Sequence, residues 1–406
     1  MKSFLYADEA RDVLLDLPIQ TAVEQIPLER ALGRVLAQEL RAEIAMPPFD
    51  RSPYDGYALR SDDVGEASVQ HPVALRITEE ISAGSVPTKV LQHGMAAKVL
   101  TGAQLPKGAD CTVMYEQIEF SGDMVYICKP MRANQNFICA GEEALAGSLL
   151  LERGVRLAPP MLGVLASQGK AVCEVFKRPR VALVVTGSEL MQPGQLLVAG
   201  KIYNSNLAAI EGYLTQWGLD VELTTMVPDD LGKIVHAVQE GFEVSDIVIT
   251  TGGASVGDYD FALDVMRTIG ARPLFWKVKM KPGSALLAAQ KDEKLLLSLS
   301  GNPAAAIVGL MRVALPYLRK LCGRRDLLLQ EINVELKRPL EKASPTLRLL
   351  RGRLEIQDGR ALFAENPGSG NGMLSSFEGM DLLGEVAAES PPLKAGTRIK
   401  AYRCED

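Results

Sequence analysis

The sequence predicts a multi-domain α/β plus β protein built around a doubly wound α/β domain. Three observations carry this expectation. The chain has 406 residues, more than one hydrophobic core serves, so roughly two to four domains are expected. From 178 to 326 short apolar runs alternate with amphipathic stretches, the pattern of a mostly parallel sheet with helices on both faces. Before and after that region the chain reads as short strands separated by turns. Hydrophobic residues make up 47% and charged residues 23%, an ordinary globular composition. The formal net charge of −6 argues against a general nucleic-acid surface.

In chain order, residues 4–17 read as an amphipathic helix stopping at Pro18, and "LERALGRVLAQEL" (28–40) as a second helix weakened at Gly33. The opening does not have the pattern of a signal peptide, and no apolar run is long enough to span a bilayer, so a cytoplasmic location without membrane contact is expected. "AMPPFDRSPYDGYAL" (45–59), with three prolines, marks a boundary. Residues 57–140 are strand-like and turn-rich, and from about 145 helix and short strand return. The α/β region then follows. "VALVVTG", "DVELTTMVP", "DIVITTGG", "PLFWKVKMKPG" and "KLLLSLSGNP" read as strands. "NLAAIEGYLTQWG", "DDLGKIVHAVQEGF", "DFALDVMRTIG" and "AAAIVGLMRVALPYL" read as helices. Residues 328–403 suggest a small β-barrel or sandwich. The six cysteines form no C-x-x-C pair, which fits buried thiols better than zinc or disulfides.

Ligands of a doubly wound sheet bind beyond the carboxyl ends of its strands. Several strands here end in small residues: Thr186-Gly187, Thr251-Gly252-Gly253 and Ser300-Gly301-Asn302-Pro303. Such glycines let backbone N–H groups approach an anion, and Pro303 suits the first turn of a helix. "YNSN" (203–206) precedes another helix, with Ser205 or Asn206 as its cap. Alone, each is an ordinary turn; four in one sheet favour a site. Glu189, Asp229, Asp258 and Asp260 fall just beyond strands. Acids beside anion-binding glycines make sense with a divalent cation such as Mg2+ between them. Asp229 and Asp230 also suit caps of the helix at 231–242. In "WKVKMKPGS", Lys277, Lys279 and Lys281 recur at period two, so one strand would aim all three to one face, roughly 6–7 Å apart. That stripe suits a phosphate, or the guarding of an edge strand. His71, His93 and His236 sit in no nucleophile–base pattern.

"PPFDRSPYDGYAL", "AGSVP", "LTGAQLPKGAD", "VVTGSEL", "YNSN", "TTGGASVGDYDF", "KMKPG" and "SGNPAAA" occur in the order and spacing of the MoeA family of molybdopterin molybdenumtransferases. The chain resembles that family over nearly its whole length, and is similar to the C-terminal domain of gephyrin. The resemblance implies a homodimer of four-part protomers. The parts are a discontinuous N-terminal dimerisation domain (1–45 and 143–177), an inserted β-rich domain (46–142), an adenylyltransferase-like α/β molybdopterin-binding domain (178–326) and a C-terminal β-barrel (327–406). It implies insertion of molybdate into adenylylated molybdopterin with release of AMP. Asp55 and Thr101 would reach the site from the partner chain. Glu189, Asp229 and Asp260 would handle Mg2+ and phosphate. Lys277, Lys281 and Arg351 would hold molybdate and the pterin end, with Gly252, Gly253, Ser255, Ser300, Gly301, Asn302 and Ser375 or Ser376 lining the site. A molybdopterin adenylyltransferase and molybdoenzyme maturation factors are the implied protein partners.

The sequence departs from the family's pattern in places. Ser188 stands where an acid is common, Ser284 where a lysine is common, Ser300 where a proline is common, and Glu143 where an aspartate is usual. "NQNFICAGEE" lacks the usual basic stretch. Lys279, where the family often has a small residue, is expected to restore part of the lost charge. The alternatives are a divergent paralogue acting on tungstate, or a pterin-binding or scaffold protein with little activity. Convergent acids and lysines favour the enzyme.

Overall fold

The computed structural model describes residues 2–253, 261–368, 370 and 372–404. The chain divides into two compact units. One comprises Met1–Gln38, Arg153–Ala158 and Val172–Asp406; the other comprises Glu39–Glu152 and Pro159–Ala171.

The first unit is built on a seven-stranded sheet of β1 (Lys2–Leu5), β2 (Arg180–Thr186), β3 (Asp220–Val227), β4 (Ile247–Thr251), β5 (Arg272–Val278), β6 (Leu286–Lys291) and β7 (Lys294–Leu299). Their spatial order is β1-β5-β6-β7-β4-β2-β3. All neighbours are parallel except β6, which runs antiparallel to both β5 and β7. A strand covered on both faces loses the polar alternation of a half-exposed one. Accordingly, every residue of β4 and all of β2 after Arg180 are buried. The helix Leu231–Val244 covers one face with Ile234, Ala237, Val238, Gly241 and Phe242, the stripe expected at 3.6 residues per turn. Asp230 caps it, its Oδ1 accepting from Lys233 N at 2.9 Å.

Three sequence expectations fail here. Residues 2–5 are strand, and the first helix spans only Ala7–Leu15. The segment 28–40 is not a helix beyond a 3-10 turn at Leu28–Arg30. Its backbone bonds outward instead: Gly33 N to Leu157 O (2.8 Å), Leu36 N to Val155 O (3.0 Å) and Ala37 N to Glu174 O (2.9 Å). These tertiary pairings override helix propensity. Finally, the stretch 273–283 is not one strand. β5 ends at Val278, and Met280–Lys281 pairs instead with Leu347–Arg348. β6 itself is absent from the sequence reading, because "LLAAQK" lacks β-branched residues and Asp292, at φ +55°, makes the tight turn.

The barrel expected at the chain end is present. β8 (Glu331–Leu336), β9 (Leu347–Gln357), β10 (Arg360–Glu365), β11 (Leu382–Val386) and β12 (Arg398–Arg403) close in the order β9-β10-β8-β12-β11-β9. Closure removes free edges. The second unit holds a six-stranded sheet in the order Cys111–Met114, Gly56–Leu59, Met95–Val99, Val73–Ile81, Met124–Ile127 and Ile118–Ser121. Tyr57, Leu59, Leu75, Val113, Val125 and Ile127 form its core. Cys111, Cys173 and Cys322 are buried as expected, whereas Cys128 and Cys404 are half-buried and Cys139 is exposed.

Within the first unit a buried charge joins α/β region, barrel and N-terminal helix. The helix begun at Pro303 widens into a π-helical turn at Leu310–Ala314 before continuing through Leu315–Leu321. Pro316 cannot donate to the carbonyl of Arg312 and crowds it, and the wider turn accommodates that. Arg312, only 4% exposed, donates from Nη2 to Asp8 Oδ1 (2.8 Å) and Tyr402 Oη (3.1 Å), with Glu385 Oε2 at 3.4 Å. Tyr402 in turn donates to Glu385 at 2.8 Å. Burial pushes the Asp8 carboxyl up, but the hydrogen bond and charge of Arg312, with Arg11 and Lys400, outweigh it and leave its pKa lowered. A lowered folded pKa adds stability above the ordinary carboxylate value, lost as pH falls through the folded value. Arg312 is buried but Asp8 is 59% exposed, so solvent screens part of this pair and Arg312→Met should destabilise the first unit by about 1–2 kcal/mol, chiefly through Glu385 and the lost hydrogen bonds. The same variant should lose the wild type's extra destabilisation below about pH 4. Urea midpoints measured across pH 3–7 check both outcomes.

Candidate active site

The carboxyl ends of β2, β4, β5 and β7 surround a cavity of about 720 Å³ within the first unit. Close backbone approach makes it. A Cβ on Gly252, which has φ +92°, would lie 2.3 Å from Thr186 O and 2.5 Å from Thr186 Oγ1. A Cβ on Gly301 would lie 3.3 Å from Gly252 Cα. Only glycine fits at Gly252, and the turns after β2, β4 and β7 therefore meet with their backbones facing the cavity.

Polar side chains at this rim are held with part of their bonding capacity unused. Asn204, rather than Ser205 or Asn206, caps the helix Ser205–Gln216, its Oδ1 accepting from Leu207 N at 3.1 Å. Asn206 is thereby turned inward, donating from Nδ2 to Gly301 O at 2.8 Å. Thr186 Oγ1, Asn204 Nδ2 and Asn206 Oδ1 are buried, line the cavity and have no hydrogen-bond partner among the described residues. An unpaired buried polar group costs on the order of 1–3 kcal/mol, and three of them belong to residues that line this one cavity.

The charged residues divide between this cavity and other places. Glu189, Asp229, Lys277 and Lys281 line it, with Gly252, Gly253, Ser284, Ser300, Gly301 and Asn302. Because Asp230 does the capping, Asp229 is left for the site. Ser188 orients it: Ser188 N donates to Asp229 Oδ2 (2.9 Å), and Asp229 N donates to Ser188 Oγ (3.0 Å). The expected three-lysine face is corrected. Lys277 has φ +64°, which breaks strand alternation, and Lys279 Nζ lies 4.4 Å from the centre of the Tyr6 ring. Lys279 does not line the cavity, so it does not replace the charge missing at Ser284, which does.

Arg351 and Ser376 also differ from expectation. Arg351 is 1% exposed, donating from Nε to Ser376 Oγ (2.9 Å) and from Nη2 to the carbonyls of Gly368 (3.3 Å) and Gly370 (3.1 Å). Ser376 is fully buried and donates to Met373 O at 2.6 Å. This pair braces the glycine-rich segment after β10; Ser375 is the exposed one of the two serines. Ser255, Asp258 and Asp260 lie outside the described residues.

Asp55 and Thr101 come together in the second unit. Thr101 donates to Asp55 Oδ1 from its hydroxyl (2.7 Å) and its backbone N (2.6 Å). Both bonds hold the Asp55 carboxyl below its usual pKa. Residues missed from sequence are Phe4 and Asn204, which line the cavity. Asn204 was one position from the cap read in "YNSN", whereas Phe4 carried no signal once residues 4–17 were read as helix.

Models of the MoeA N-terminal region (domains I and II), a probable molybdopterin-binding domain and the MoeA C-terminal region (domain IV) match residues 5–169, 182–320 and 333–403 in turn. The molybdopterin molybdenumtransferase of Staphylococcus aureus is 35% identical over 395 residues, covering 94% of each chain. The chain belongs to the MoeA family of molybdopterin molybdenumtransferases. The Staphylococcus epidermidis member is 38% identical over 331 residues, covering 82% of this chain and 79% of that one. The crystal structure of the molybdopterin biosynthesis MoeA protein of Pyrococcus horikoshii superposes with a TM-score of 0.84 at 27% identity, covering 98% of this chain and 100% of that one. Family membership makes this a transferase of molybdenum cofactor biosynthesis. Among the described residues, no helix is long and apolar enough to cross a membrane.

The Asp55–Thr101 contact gives a direct test. Thr101→Val removes the hydroxyl bond and keeps the backbone one. The Asp55 pKa should then rise part-way toward the ordinary carboxylate value, measured by NMR titration of the side-chain carboxyl carbon.

Proposed function

We propose that this protein inserts molybdate into adenylylated molybdopterin and releases AMP, using the cavity at the carboxyl edge of the central sheet. The supporting observation is the wall itself: two lysines, two carboxylates and three unpaired buried polar atoms around glycine turns. A nucleotide phosphate needs N–H donors and countercharge, and these residue types supply both. Lys277 and Lys281 neutralise the oxyanion and phosphate. The backbone of Gly252, Gly253 and Gly301 approaches the ligand closely, while Thr186, Asn204 and Asn206 orient it. Cleavage of the phosphoanhydride then needs an aligned attacking oxygen and a stabilised leaving phosphate rather than a covalent nucleophile.

The donor set also suits a divalent cation. Mg2+ binds through one or two carboxylates and completes its shell with phosphate oxygens and water. Glu189 and Asp229 provide two carboxylates, with Asp260 assigned to the same task by the family motif. Among the described residues there is no cluster of three or more metal-ligating side chains. Such an ion would polarise the phosphoryl group. The proposal includes a homodimer in which Asp55 and Thr101 of one protomer complete the site of the other, and the four-part domain division set out from the sequence.

The test supplies adenylylated molybdopterin, Mg2+ and molybdate and follows AMP. Release should depend on molybdate, and Lys281→Ala should lower its rate by about 100-fold. Binding without molybdate-triggered release would instead support a pterin-binding protein, and faster release with tungstate would reassign the oxyanion. In the same assay Ser284→Lys, which adds a cation at the cavity wall, should lower the molybdate concentration giving half-maximal release, with the greater effect at low salt.

A further inference from the structure

The edge of the sheet carries a paired irregularity, of which the reaction as proposed uses only the lysine. β1 and β5 run parallel with Lys2 opposite Phe275, Ser3 opposite Trp276 and Leu5 opposite Val278. The position skipped between them holds Phe4 and Lys277. Both take left-handed backbone, at φ +56° and +64°. That conformation is uncommon for any residue with a side chain and an outlier for a bulky one. Two such residues side by side, on neighbouring strands, are local strain of the kind found at functional sites.

The consequence is a matter of direction. Strict alternation would place Phe4 and Lys277 by the pleat of each strand; here both line the cavity. Phe4 is 54% exposed. Lys277 Nζ stands 5.6 Å from its centre and 5.0 Å from that of Trp276, and no carboxylate pairs with Lys277 among the described residues. The next rung differs. Tyr6 and Lys279 are in close cation–π contact at 4.4 Å and lie outside the cavity lining. Both aromatic–lysine pairs are within cation–π range, but only Phe4 and Lys277 line the cavity.

We propose that Phe4 is a stacking platform for a planar heteroaromatic ring of the ligand, with Lys277 set beside it to meet the adjoining phosphate or oxyanion. This rests on the function proposed above and adds a residue to it. A π face accepts any flat heterocycle, so the ring is that of the nucleotide or that of the pterin.

Calorimetric titration with AMP and with adenylylated molybdopterin tests it. Phe4→Ala and Phe4→Leu should weaken binding by about 5- to 100-fold, while Phe4→Trp should retain it. The leucine variant keeps apolar bulk without a π face. Loss with both ligands assigns adenine; loss with adenylylated molybdopterin alone assigns the pterin. Unchanged affinity of Phe4→Ala for both ligands, with the wild type binding them, would overturn the platform and leave the function standing. A wild type that binds neither ligand would remove both. A second variant keeps strain apart from contact. Phe4→Gly, for which φ +56° carries no strain, should melt at or above the wild-type temperature yet bind as weakly as Phe4→Ala. A lower melting temperature would mean that the ring serves packing, and would also overturn the proposal.

Discussion

The close approach of three strand ends is the constraint on which the site depends. Gly252 sits against Thr186 at a distance no Cβ would permit, and Gly301 packs closely against Gly252, where a Cβ would stand 3.3 Å from its Cα. Because β2, β4 and β7 are adjacent and parallel, their turns leave the sheet in the same direction. Backbone contact between those turns fixes the cavity floor without long side chains. The polar atoms of Thr186, Asn204 and Asn206 are then held in place by fold geometry rather than by flexible reach. A site organised in this way loses little conformational entropy when a ligand enters.

The sequence made the sheet and its glycine turns readable because both signals are local. Continuous apolar runs mark strands buried on both faces, and small residues at their ends mark close approach. The sequence signal failed where a distant partner decides the outcome. Residues 28–40 carry helical spacing, yet Gly33, Leu36 and Ala37 hydrogen-bond to segments far away in the chain. "LLAAQK" looks weak as a strand and is stabilised by neighbours on both sides. In the site, Lys277, Lys279 and Lys281 were grouped by assuming regular alternation, and only Lys277 and Lys281 line the cavity. A left-handed residue at Lys277 breaks that assumption, and no single-sequence pattern announces it. Arg351 was assigned by resemblance. Its burial and its bonds to Ser376 and two carbonyls could be seen only in three dimensions.

Arg312 shows how the first unit holds these parts together. Pro316 forces a wide turn into a buried helix, and the turn places a guanidinium where helix Ala7–Leu15, β11 and β12 meet. Ion pairs of this kind add less net stability than apolar packing of equal size, but tolerate few alternative arrangements. Asp8 belongs to the helix that directly follows β1. The cluster therefore ties the start of that helix, at Asp8 three residues beyond the end of β1, to the barrel.

The charge of the cavity wall bears on how it handles an anionic ligand. Lys277 and Lys281 are matched by Glu189 and Asp229, so the described lining has no excess of positive charge. A ligand carrying several negative charges cannot be held there by lysines alone. The carboxylates would repel it unless a cation lies between them, and the Ser188 clamp keeps one of them aimed rather than letting it swing into solvent. On the proposed function, affinity then comes from hydrogen-bond donors and a shared divalent ion, while the lysines set where negative charge builds up during cleavage. The same proposal bears on Ser284: with the countercharge divided between ion and lysines, a serine there would weaken binding without removing the means of reaction.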